Sequence, residues 1–86
     1  MTIAQLLIDY IATSLLGGDA EGLDEDVPLL ELNIIDSSAI FDIVDHLQRT
    51  FRITVPMTRI TPENFRTVTA IAALVESLQQ EGAGVR

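Results

Sequence analysis

The chain contains no cysteine, no lysine and a single histidine, His46. Without cysteine there is no disulfide framework and no thiolate metal site, which fits a reducing compartment. With one histidine, transition-metal ligation is poorly supplied as well. The uncharged run nearest the start, residues 2–8, is too short for the apolar core of a signal peptide or for a membrane span. A cytoplasmic protein is expected. No glycine-rich phosphate loop is present, since Gly17-Gly18 reads as an ordinary helix stop.

Basic residues are scarce and one-sided. The net charge is −8, and residues 1–48 hold ten carboxylates with no Lys or Arg. The five arginines lie in residues 49–86, against three glutamates. Such a field repels nucleic acid and anionic lipid and attracts basic protein surfaces, and its plainest role is solubility. Neither a nucleic-acid nor a membrane partner is expected.

Eighty-six residues make one small domain. Thr2 and Gln5 have capping-box spacing, and Ile3, Leu6, Leu7, Tyr10, Ile11 and Leu15 then form one helical stripe. The acidic, glycine-bearing segment after Gly18 reads as a long loop, whose leucines Leu29, Leu30 and Leu32 should tuck onto the core. A second helix starts near Ser37, with Ile40, Val44, Leu47 and Phe51 on one face and Ile43 beside it. Phe41 falls off that stripe, either as a satellite core contact or as a partner contact. "RITVP" is expected to be extended loop, because no partner strand is evident. Thr61 and Pro62 open a short helix, and Thr67 caps a last helix striped by Val68, Ile71, Ala72, Val75 and Leu78. The expected fold is all-α: a small four-helix bundle of three main helices and a short third one, with a long loop between the first and second.

Self-contained catalysis finds no support. Counted from Asp19, a calcium loop would need glycine at Asp24 and glutamate at Leu30. Ser37 and His46 sit nine positions apart on one helix, about 13 Å along the axis and beyond hydrogen-bond reach. No metal site is expected. What remains is Asp36-Ser37-Ser38. On composition alone this is a helix cap, Asp and Ser both being favoured there. It also ends the longest loop and opens a helix whose outer side carries Asp42 and Asp45.

The stretch "PLLELNIIDSSAIFDIVDHLQRTFRITVP" resembles the centre of an acyl or peptidyl carrier protein, and "ITPENFRTVTAIAALVESL" resembles the end of one. Asp36 matches the motif aspartate and Ser37 the modified serine. Leu29 and Leu32 match the leucine-rich approach, and Phe51, Ile53, Val55 and Pro56 match the element after the helix. The resemblance implies a carrier domain over residues 1–80 with a flexible tail at 81–86. It implies that Ser37 receives 4'-phosphopantetheine from coenzyme A through a phosphopantetheinyl transferase. Cargo would then be held as a thioester on the arm, with no active site in the carrier itself. Acyl- or aminoacyl-loading enzymes and downstream synthase or tailoring enzymes would be its partners, meeting a monomer at Ser38, Phe41, Asp42 and Asp45.

Departures from the family pattern carry information. Asn33 stands where glycine is common and should preserve a left-handed turn. Ser38 replaces the usual leucine. His46, Gln48 and Arg49 interrupt the acidic surface typical of fatty-acid carriers. These departures lean toward an acyl carrier of a polyketide or other specialised biosynthetic pathway. An aminoacyl (peptidyl) carrier remains open, as does an acidic helical interaction module in which Ser37 is only a cap.

Overall fold

A computed structural model describes residues 2–15, 17–18 and 22–84. Asp19, Glu21, the last two tail residues and the side chain of Leu15 lie outside that set. Three helices form: α1 (Ile3–Leu15), α2 (Ser37–Phe51) and α3 (Val68–Gly84). Between α2 and α3 stand two single 3₁₀ turns, Met57–Arg59 and Glu63–Phe65. The described residues contain no strand. The small helical bundle is as expected, but its short third helix is one 3₁₀ turn. The Met57–Arg59 turn was not anticipated.

Each boundary has a local cause. Thr2 Oγ1 accepts the Gln5 N–H at 3.1 Å. The Gln5 amide does not reach back to complete a capping box but donates to Asp9, one turn on. Gly17 and Gly18 take positive φ, and the Gly18 N–H returns to the Ala12 carbonyl. Thr67 accepts the Ala70 N–H and caps α3 as expected. Thr61 accepts the Asn64 N–H, but the cap position of the short turn falls on Pro62, one residue later than expected, because the turn is 3₁₀ and begins at Glu63. α2 ends at Arg52, which adopts the left-handed conformation (φ 54°, ψ 47°) with a full side chain.

α3 is the common wall of the core, since α1, α2 and the Glu63–Phe65 turn all pack on it. That turn delivers Phe65, which is wholly buried. It shares one buried cluster with Leu7 and Ile11 of α1, Ile43 and Leu47 of α2, and Val68, Ile71 and Val75 of α3. The α3 stripe sits further round the helix than its sequence pattern suggested. Leu74 is buried and Ala72 only half-buried, because neighbours reach α3 from several sides. In α2 the deepest residues are Ile43 and Leu47, with Ile40 and Phe51 at the rim. Helix α3 continues through Glu81 to Gly84, into the span expected to be a flexible tail. There Glu81 holds Arg59 at 2.7 Å.

The long loop closes on the far end of the chain. The Leu29 N–H donates to the Arg66 carbonyl, and the Thr69 N–H and hydroxyl both donate to the Glu25 carbonyl. Pro28 to Leu32 makes one turn, and Asn33 then takes φ 56°. This reverses the chain, so that Ile34 and Ile35 both donate back to the Leu29 carbonyl. The reversal corrects one expectation: Leu29 and Ile35 enter the core, while Leu32 is turned outward and 59% exposed.

Removing the Phe65 ring should cost about 3–5 kcal/mol, since the packed turn cannot fully collapse around the void; urea unfolding of Phe65→Ala measures it. At the reversal, Asn33→Gly should leave stability near that of the parent. Asn33→Val should lose about 1–2 kcal/mol in the same assay, because a branched side chain resists the left-handed region.

Candidate functional site at the start of the second helix

Asp36 is in extended conformation, and its Oδ1 accepts the Ala39 N–H at 2.9 Å. Its carbonyl accepts the Ile40 N–H at 2.9 Å, the first bond of α2. The carboxylate is therefore engaged with backbone, as an N-cap should be. Ser37 and Ser38 occupy the first two helical positions, both exposed. Their backbone N–H groups have no acceptor among the described residues, the usual state of a helix start. The positive end of the helix dipole lies behind them, so this corner suits an anion attached to either hydroxyl.

Phe41 is 54% exposed, which settles its reading in favour of the surface. Asp42 and Asp45 are exposed on the same side. Asp45 is shared with Arg49, its Oδ2 lying 3.2 Å from the guanidinium one turn on. The i, i+4 spacing was the sequence signal for that pair, and it had not been drawn from the sequence.

On the flank of α2 the Tyr10 ring stacks on His46, centroids 3.8 Å apart and nearly parallel. The Tyr10 hydroxyl donates to the Asp42 carbonyl at 3.4 Å, and Thr50 Oγ1 lies 3.4 Å from His46 Nε2. Tyr10 thus pins α1 to α2. Burial, and then the nearby Asp42 and Asp45 carboxylates, push its hydroxyl pKa up. Partial burial also holds the His46 pKa below its ordinary 6.5, against the pull of Asp45. Beyond the end of α2, Gln48 Oε1 accepts the Val55 N–H at 3.0 Å, fixing how the following loop leaves the helix.

An open depression of about 340 Å³ is lined by Leu30, Glu31, Pro62, Glu63 and Arg66. The Arg66–Glu31 ion pair, 2.8 Å long, links its two sides. No residue of α2 lines it. Among the described residues no group of three or more His, Asp or Glu could hold a metal ion, and no helix is long and apolar enough to cross a membrane.

Comparison with known proteins places this arrangement. The family described as "Phosphopantetheine attachment site" matches residues 5–75, most of the chain. The chain therefore belongs to the acyl and peptidyl carrier proteins, whose cofactor is 4'-phosphopantetheine and which have no catalytic site of their own. It is 49% identical over 73 residues to the probable acyl carrier protein PigG of Serratia sp. (strain ATCC 39006), covering 85% of this chain and 84% of that protein. It is 30% identical to the D-alanyl carrier protein of Streptococcus pyogenes serotype M5 (strain Manfredo), covering 92% of this chain and 98% of that one. A chain in a crystal structure of an FAD-dependent dehydrogenase superposes with a TM-score of 0.74 at 38% identity, over 80% of this chain and 97% of that one. Since four-fifths of this chain spans nearly all of that one, the matched chain is itself of carrier size. Proteins of this family meet phosphopantetheinyl transferases and synthase enzymes in general.

Two outcomes follow from this geometry. Asp36→Ala should lose about 1 kcal/mol of stability by removing the cap, read in urea. His46 has a depressed pKa in the fold, so as pH falls the unfolded chain takes up the proton first. The stability it contributes is present above pH 6.5 and is lost as pH drops through the lower folded value. The urea midpoint of the wild type should fall across that window, while His46→Gln should flatten the fall.

Proposed function

We propose that Ser37 is the attachment serine and that the protein shuttles an acyl cargo between enzymes of a specialised biosynthetic pathway, of polyketide or related type. The observation carrying this reading is the exposed Ser37 at the first position of α2, directly after the capping Asp36 and inside the family match. Its neighbour Ser38 is equally exposed. The register with Asp36 favours Ser37.

The residues suit the group. Ser37 Oγ gives up its proton and takes the phosphopantetheinyl group of coenzyme A, the nucleotide half of coenzyme A leaving. The Ser37 and Ser38 N–H groups and the helix dipole then face a phosphodiester anion. When attached, the arm supplies the terminal thiol that holds cargo as a thioester. The chain has no thiol of its own to divert it. Ser38, Phe41, Asp42 and Asp45 form the partner-facing side of α2, with the carboxylates drawing basic enzymes and Phe41 supplying apolar contact. Residues 1–80 are the working unit, and the carrier acts as a monomer in the cytoplasm, where a coenzyme A donor is at hand.

The likeness to PigG supports the acyl reading. The D-alanyl carrier relative favours a second one, an aminoacyl cargo. The carrier-sized chain within a dehydrogenase structure supports an FAD-dependent dehydrogenase among the partners.

Incubation with coenzyme A and a broad-range phosphopantetheinyl transferase should add one phosphopantetheine to the intact mass. Ser37→Ala should abolish the gain and Ser38→Ala should retain it. A wild type that several transferases leave unmodified would defeat the reading.

A further inference from the structure

The outer face of α2 is polarised along its length. Phe41, Asp45 and Arg49 recur at steps of four, with Asp42 beside them three before Asp45, opposite the buried Ile43 and Leu47. The stripe runs from an apolar ring, through two carboxylates, to a cation. The Arg49 side chain is 79% exposed, against 58% for Asp45, which it partly neutralises. An exposed pair of this kind is weak and opens readily. Docking therefore has to satisfy Arg49 as well as the carboxylates. A partner face that is basic throughout meets repulsion at this end of the helix.

We propose that Arg49 is a specificity-determining residue of the docking face. It turns away uniformly basic carrier-binding surfaces and selects a protein partner with an apolar socket for Phe41, a basic rim, and a carboxylate opposite Arg49. The socket and that carboxylate lie about 12 Å apart, the rise of eight helical residues. The same charge order fixes which way round the partner lies on α2, because the reversed pose sets cation against cation. This inference rests on the reading of Ser37 and the outer face of α2 given above.

The test uses the apo-protein, coenzyme A and a phosphopantetheinyl transferase whose carrier-binding face is uniformly basic, reading kcat/KM for the mass gain. Arg49→Glu should raise kcat/KM about three- to tenfold at low ionic strength, a gain that shrinks as salt is added. Arg49→Lys should match the wild type. Each basic residue of the transferase face is then replaced singly by glutamate. One of these variants should reverse the preference, modifying wild type and Arg49→Lys faster than Arg49→Glu. Thermal unfolding of wild type and Arg49→Lys should coincide, and Arg49→Glu should unfold slightly earlier, losing the Asp45 pair and placing a carboxylate in the last turn of α2, while staying fully folded at the assay temperature. Equal kcat/KM for wild type and Arg49→Glu overturns the inference, and so does the absence of reversal at every position. No mass gain on the wild type at all overturns the Ser37 reading and this inference with it.

Discussion

The Leu29 anchor is the constraint on which the rest depends. Its side chain is fully buried, its N–H is given to the Arg66 carbonyl, and its own carbonyl takes two N–H groups from Ile34 and Ile35. One residue thus closes a long polar loop, ties it to the approach of α3, and sets where the chain turns into α2. A connection of this length would otherwise leave the start of α2 free to wander, since loop closure costs little more for each added residue and enforces little. Glu25 and Asp26 repeat the tie from the loop side through Thr69. The serines therefore stand on a corner that is held from behind while remaining open in front.

That corner separates two jobs along one helix. The inner face of α2 spends its apolar residues on α3 and the Phe65 turn, where burial supplies the stability. The outer face contributes little to folding, because its ion pair is exposed and such pairs are worth about 0–1 kcal/mol. Its residues are free to be chosen for encounter. Tyr10 and His46 stand between the two faces and keep the helix from rolling, so the orientation of the outer face follows from that of the core.

Much of this could be read from the sequence, and the misses have common causes. Helical periodicity located α1, α2 and α3, and their caps (Thr2, Asp36 and Thr67) marked the starts because side-chain-to-backbone bonds are local. Asn33 was legible for the same reason: its left-handed φ is a property of one residue in one turn. Leu32 was not, because its direction depends on how Asn33 turns the chain back toward Leu29. Leu74 was missed since the width of a buried stripe reflects how many neighbours a helix has, which periodicity does not report. At the candidate site, Asp36 was legible as the cap of α2 and Ser37 as its first residue, because aspartate is a favoured N-cap. The ambiguity of Phe41 needed the three-dimensional fold, and the tie between Gln48 and Val55 joins residues on either side of the end of α2.

Ser37 contributes no side-chain contact to the core, and its neighbour Asp36 bonds to backbone beyond it. No core packing and no capping bond depends on the Ser37 hydroxyl. Holding the helix and exposing a hydroxyl are thus the work of two different neighbouring residues, so a change at one need not disturb the other.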